Sequence, residues 1–211
     1  SGMMYVKKKP PGVLISFEGL DGVGKSTQIA RVAQWLKSHG IMDPVVIREP
    51  GGTPLGEALR DMVIKEVQAH SALAELMVFA AARAELVDTV IAPALRAGRV
   101  VLADRFIDSS VAYQGYGRGL AIETVQTVNR LAVREYVPDM TIWLKGRSFL
   151  GAGSTRDLIE QRSADFFARV EHGYRCLAQK DAARWRIIEA NQPPCRVFEQ
   201  IVAQIAARIT V

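Results

Sequence analysis

The sequence predicts an α/β protein built on one parallel sheet of five strands with helices on both faces. Three observations predict it. Short runs that are apolar nearly throughout alternate with longer stretches whose apolar residues recur every three to four positions. Strands apolar on both sides belong to sheets covered on both faces, which are parallel ones. The first apolar run also opens directly into a glycine-rich loop of the kind that cradles phosphate.

The elements follow in order. Val13-Leu14-Ile15-Ser16-Phe17 is the first strand. Ile29, Val32, Ala33 and Leu36 fall on one helix face, and Gly40 is a stop for that helix. Val45-Val46-Ile47 is the second strand, and Leu55, Leu59, Met62 and Val63 mark the second helix. Leu73, Leu76, Met77, Ala80, Ala84, Val87 and Ile91 mark a long third helix with Pro93 near its end. Val100-Val101-Leu102-Ala103 is the third strand, followed by a helix over about 122–134. Thr141-Ile142-Trp143-Leu144 and Arg186-Ile187-Ile188 are the fourth and fifth strands, with a helix near 157–177 between them. Val197, Ile201, Ile205 and Ile209 mark a terminal helix. In such a sheet ligands bind beyond the carboxyl ends of the strands, so the residues just after each strand carry the function.

Composition narrows the class. The chain has 211 residues, 49% hydrophobic and 23% charged, which suits one globular domain over 13–211 and excludes a disordered or repetitive chain. Residues 1–12 are expected to be a tag scar, Ser1-Gly2, and a flexible arm carrying Lys7, Lys8 and Lys9. No apolar run approaches the roughly 18 residues of a membrane span, and no signal peptide is recognisable, so a cytoplasmic protein without a membrane partner is expected. Cys176 and Cys195 have no metal-site spacing and fit a reducing compartment, while His39, His70 and His172 are scattered. The net charge of +5 calls for an anionic partner, and a phosphorylated metabolite accounts for it without nucleic acid.

Gly19-Leu20-Asp21-Gly22-Val23-Gly24-Lys25-Ser26-Thr27 fits G-x-x-x-x-G-K-[ST] between a strand and a helix. Its glycines let backbone N–H groups turn towards phosphate oxygens, and the helix adds its positive end. Lys25 is expected on the β- and γ-phosphates of a nucleoside triphosphate, and the Ser26 hydroxyl on Mg²⁺. Asp104, at the end of the third strand, is a carboxylate anchor for that magnesium, and Arg105 beside it can clamp a phosphate in fork geometry. The second-strand loop Arg48-Glu49-Pro50-Gly51-Gly52-Thr53 is a rigid ligand loop. Phe79 and Arg83, four apart on one helix face, could stack a base and bond its edge. The stretch 108–120, with Ser109, Tyr113, Gln114 and several glycines, reads as a polar surface for close approach, and the glycine-rich 145–156 as a loop or lid.

Together the segments FEGLDGVGKSTQ (17–28), REPGGTPLGEALR (48–60), ELMVFAAARAELV (75–87) and DRFIDSSVAYQGYGRGL (104–120) resemble the thymidylate kinase family. The resemblance implies transfer of the γ-phosphate of ATP to thymidine monophosphate, with magnesium, in a homodimer packed through helices. It places Asp21 at the sugar 3′-hydroxyl, Phe79 on thymine, Arg83 on the thymine O4 edge, and Arg60 and Arg105 on the acceptor phosphate. Glu49 and Pro50 fall beside the acceptor nucleotide, Ser109 and Gln114 on further acceptor contacts, and Tyr113 against the sugar 2′ position.

The lid departs from that pattern. The fourth strand ends Leu144-Lys145 where the family has Leu-Asp, and the glycine-rich lid is short and offers Arg147 and Arg156, with Arg162 just beyond. The P-loop carries Val23 where one subclass has an arginine, so the arginine that closes over the transferred phosphate falls to the lid, with Arg156 in the matching place. Two other readings fit a changed lid: a kinase of the same build for another deoxynucleoside monophosphate, and a nucleotide-binding protein without the reaction.

Overall fold

A computed structural model describes residues 10–66, 71–146 and 163–209. Five parallel strands form one sheet: β1 (Val13–Glu18), β2 (Val45–Arg48), β3 (Val100–Asp104), β4 (Met140–Lys145) and β5 (Trp185–Glu189), in the order β2-β3-β1-β4-β5. This is the predicted fold class, and each strand falls on its predicted run. The order reverses direction at β1, which places the carboxyl end of β1 at the switch point where doubly wound sheets bind ligands.

The helices are α1 (Lys25–Ser38), α2 (Pro54–Glu66), α3 (Ala72–Leu86), α4 (Ala92–Arg96), α5 (Ile107–Ser110), α6 (Ile122–Val133), α7 (Ala164–Lys180) and α8 (Pro194–Ala206). Alternation along β1 explains the two-faced core. Ile15 and Phe17 pack with α1 and α8 through Val32, Leu36, Ile201 and Ile205, whereas Leu14 packs with Leu76, Leu86, Val125 and Val133 of α3 and α6. A third, aromatic cluster joins Tyr113, Trp143, Phe166, Tyr174 and Trp185 under α7. The central strands are buried except at one end residue each, Val13, Asp104 and Lys145, while β2 and β5, at the sheet edges, leave Val46 and Ile187 half exposed.

Two features differ from the sequence reading. The long third helix is three pieces, α3 and α4 joined by a π turn over Val87–Ile91. Most of the stretch 108–120, read as a polar surface for close approach, is helical: α5 runs over Ile107–Ser110 and a second π turn over Val111–Gly117. The glycines there do not open the chain. They admit neighbours: a Cβ on Gly117 would meet the Phe166 ring at 2.6 Å, and one on Gly173 of α7 would meet the Tyr116 ring at 2.7 Å. Packing against α7 outweighs the weak helix propensity of glycine.

Candidate active site

The carboxyl edge of the sheet carries the phosphate loop and a cavity beside it, joined by one ion pair. The loop lies between β1 and α1. Gly19 has φ +139°, and a Cβ there would lie 2.5 Å from the Leu144 carbonyl, so only glycine turns the chain off β1 here. Gly24, at φ 98°, caps α1 without any side-chain hydrogen bond, and no acidic residue sits in the first turn. The first amides of α1 therefore face the loop with no competing acceptor from a cap, as an anion site requires. Lys25 is buried and folds over its own loop, donating to the Gly19 and Leu20 carbonyls at 3.2 and 3.0 Å. Burial and the Arg105 charge push its ammonium down, against the pull of Asp21, Asp104 and Glu18.

Ser26 donates its hydroxyl to Asp104 Oδ2 at 2.8 Å, which joins α1 to the end of β3. A hydroxyl and a carboxylate are hard oxygen donors. With phosphate oxygens and water they suit a magnesium ion, which seldom takes an all-protein cage. No group of three or more His, Cys, Asp or Glu among the described residues could hold a metal by itself. The fit is thus to a metal that arrives with a nucleotide. Val23, Gly24, Thr27 and Gln28 also face Ala190, Gln192, Pro194 and Val197 across an apolar cleft between the loop and the start of α8.

The cavity beside the loop encloses about 570 Å³, its open mouth included. Asp21, Glu49, Pro50, Arg60, Val63, Phe79, Arg105, Ser109, Ser110, Tyr113 and Gln114 line it. Nine of the eleven are the residues expected around the acceptor; Val63 and Ser110 are new. Arg60 donates to the Pro50 carbonyl at 3.2 Å. Gln114 donates to Glu75 at 2.7 Å, and Glu75 also takes Arg118 at 2.5 Å, so the π turn is fastened to α3. Phe79 stands in the wall, partly exposed.

Arg105 joins the phosphate loop to this cavity. Its backbone sits at φ 71°, an uncommon conformation for a side-chain-bearing residue. Its amide donates to Phe17 O at 3.0 Å. The guanidinium lies over the Tyr113 ring, 4.9 Å from the centroid, and donates to Asp21 Oδ1 at 2.6 Å. Burial would raise the Asp21 carboxyl, but Arg105 and Lys25 hold it well below the usual carboxylate range. Burial pushes the Tyr113 phenol up to about 12, so it stays a neutral hydroxyl.

Arg83 lies elsewhere than its spacing from Phe79 suggests. It shares a helix face with Phe79 but does not reach the cavity wall. It is 1% exposed, and all five N–H groups have partners. Nε and Nη2 grip Glu49 at 2.6–3.0 Å, Nη1 donates to Ser110 and Asn129, and Nη2 also donates to Phe106 O. No N–H of Arg83 remains for a base edge, because one helical turn deeper along α3 the face points into the protein. Burial pushes the Glu49 carboxyl up, and Arg83 pulls it back. Arg147, Arg156 and Arg162 lie outside the described residues, as does the basic arm at 7–9.

Two groups that were not given a role meet behind Arg105: Glu18 and Tyr174. A signal for the first was present. Ser16 and Glu18 are the polar residues of an otherwise apolar strand and lie on the same face of it. A carboxylate at such a position needs buried partners.

A strand, glycine loop and helix carrying Lys25 and Ser26, with a second cleft beside them, is the build of a P-loop enzyme that passes a phosphoryl group between two bound molecules. The comparisons name the family. The thymidylate kinase family model matches residues 17–201. Thymidylate kinases of Chlorobium chlorochromatii and Pelotomaculum thermopropionicum are 37% and 45% identical, covering 93% and 86% of this chain and 96% and 87% of theirs. The crystal structure of thymidylate kinase from Ehrlichia chaffeensis superposes with a TM-score of 0.77 at 32% identity, over 93% of this chain and 99% of that one. The chain belongs to the thymidylate kinase family.

Proposed function

We propose that the protein transfers the γ-phosphate of ATP to thymidine monophosphate, giving thymidine diphosphate and ADP. The observation that carries this reading is the Asp21–Arg105 ion pair, shared by the phosphate loop and the Phe79-lined cleft. The family membership supports the same reaction.

Each chain residue then has a defined task. The loop amides over 19–24 and the α1 terminus bind the β-phosphate, and Lys25 leaves its own carbonyls for the β- and γ-oxygens. Ser26 and Asp104 would hold a magnesium ion, which when bound neutralises charge on the β- and γ-phosphates. The adenine is placed in the apolar cleft between Gly24 and Pro194. In the acceptor cleft Phe79 stacks on thymine, Tyr113 limits the sugar, and Arg60 and Arg105 grip the acceptor phosphate. Asp21, ionised across the physiological range, accepts from the sugar and holds Arg105 in line. The protein contributes alignment and positive charge, which are most of what phosphoryl transfer needs. Arg156 as the closing arginine rests on the sequence resemblance alone. A homodimer fits the exposed apolar side chains Leu55 and Met62 of α2 and Leu73 and Met77 of α3, two helices that pack on each other.

The test is ADP release with Mg·ATP against a panel of nucleoside monophosphates and a blank without acceptor. Turnover chiefly with thymidine monophosphate is expected. Turnover with another monophosphate, or none beyond the blank, overturns the proposal. Phe79→Ala should raise the thymidine monophosphate KM about 10- to 100-fold, since a stacked base contributes about 1–3 kcal/mol. Steady-state kinetics check it; an unchanged KM returns Phe79 to a packing role.

A further inference from the structure

We infer that Glu18 is a positioning residue for the acceptor-phosphate clamp: through the Ser109 and Tyr174 hydroxyls it fixes where Arg105 presents its guanidinium. The inference rests on the reading of Arg105 given above.

Glu18 ends β1 and is fully buried. Its Oε1 accepts the Phe106 amide at 3.0 Å. Its Oε2 accepts the Ser109 hydroxyl at 2.5 Å and the Tyr174 hydroxyl at 2.8 Å. Both hydroxyl hydrogens therefore turn towards Glu18. Their oxygens, 3.2 Å apart, keep lone pairs for Nη1 of Arg105, which lies 3.2 Å from Ser109 and 3.4 Å from Tyr174. Asp21 and Tyr113 take the other arm of the guanidinium. One carboxylate thus orders three segments far apart in sequence: β1, the turn after β3, and α7.

A buried carboxylate is costly, and packing alone would favour an apolar residue. Burial and neighbouring Asp108 push Glu18 up to about 7, although Arg105, Ser109 and the Phe106 amide pull it down. The charged and titratable groups facing it are Asp108 of α5, Arg105 after β3, Lys25 of α1, Tyr113 of the π turn and Tyr174 of α7. Above a pH of about 7 Glu18 is a carboxylate and accepts three hydrogens at once, which a neutral amide in its place cannot. The amide of Glu18→Gln must either oppose the Phe106 N–H with its own NH₂ or donate to the two hydroxyl oxygens. In the second case it competes with Arg105 for their lone pairs. In the first case the Phe106 amide, next in the chain to Arg105, is pushed away, so in both Arg105 keeps its charge and loses its seat.

The experiment compares Glu18→Gln, Tyr174→Phe and Arg105→Lys with the parent enzyme. Initial rates are measured with each substrate varied, and melting is followed without ligand. Glu18→Gln should raise the thymidine monophosphate KM tenfold to a hundredfold, on the order that misplacing a reacting group costs. Its ATP KM should move by less than about twofold, since no contact to the donor changes. Tyr174→Phe should give a smaller rise of the same kind. The double variant should be no worse than Glu18→Gln alone, because both act through one contact set. If Glu18→Gln fails to fold, Tyr174→Phe decides by the same split. An unchanged acceptor KM in the folded variants overturns the inference. So does an equal shift of both KM values together with a lower melting temperature, the signature of a purely structural role. Arg105→Lys separates the two levels. If it raises the acceptor KM and Glu18→Gln does not, the inference alone falls. If it leaves the acceptor KM unchanged, the reading of Arg105 falls.

Discussion

Arg105→Ala is expected to lower kcat/KM for thymidine monophosphate by about 10²–10³, with ATP affinity changed less than about threefold. The asymmetry follows from the geometry. Arg105 is 13% exposed and opens onto the acceptor cleft, while Lys25 and the amides of the loop serve the triphosphate. Losing the guanidinium removes the positive charge that faces an acceptor dianion. It also leaves Asp21 as an uncompensated negative charge at the junction, since the other cation near it, Lys25, stands at 3.6 Å and turns to phosphate on binding. Repulsion between Asp21 and the acceptor then adds to the lost attraction. Two measurements check this: initial rates with each substrate varied, and binding of a non-hydrolysable ATP analogue. Equal loss of both nucleotides would remove the role given to Arg105.

The sheet was readable because each central strand is a run of buried residues with no competing interpretation, as in Val100-Val101-Leu102-Ala103. The phosphate loop was readable because its chemistry is local: glycines, Lys25 and Ser26 act within nine residues of one another. The π turn over Val111–Gly117 was not, since its glycines argue against any helix and only contacts with distant or later elements explain them: Gly115 against Ile122 of α6, and Gly117 against Phe166 and Val170 of α7. Nor was the separation of Phe79 from Arg83. Helical spacing puts both on one face, but it does not say how far along that face the cavity extends. Glu18 and Tyr174 are 156 residues apart, and their hydrogen bond is a property of the fold. The part of the site that grips phosphate is thus written in contiguous motifs. The part that holds those motifs in place is written in single residues whose partners lie far away.

Arg83→Met should destabilise the protein by about 3–5 kcal/mol, the cost of breaking a buried ion pair from one side. Methionine fills much of the volume, so the loss is electrostatic rather than a cavity. Glu49 is 5% exposed, and Arg83 supplies three contacts to its carboxylate at 2.6–3.0 Å. Without them the carboxyl has burial pushing its pKa up and no cation pulling it down. The folded state then holds a proton that the unfolded chain releases near 4.5. Stability of the variant should therefore fall as pH rises from that value through the raised folded pKa, and fall more steeply than in the parent. Ser110, Asn129 and the Phe106 carbonyl lose donors as well, so the turn after β3 loosens together with the loop after β2. Denaturant titrations at several pH values measure both effects. The double variant Glu49→Gln, Arg83→Met isolates the pair: restoring neutrality should recover a large part of the loss and flatten the added pH slope. If Arg83→Met instead keeps the parent's stability and only weakens thymidine monophosphate binding, the guanidinium leaves Glu49 for the base when the acceptor is bound. Arg83 would then have the edge-reading role that the resemblance implies, in place of the structural one found here.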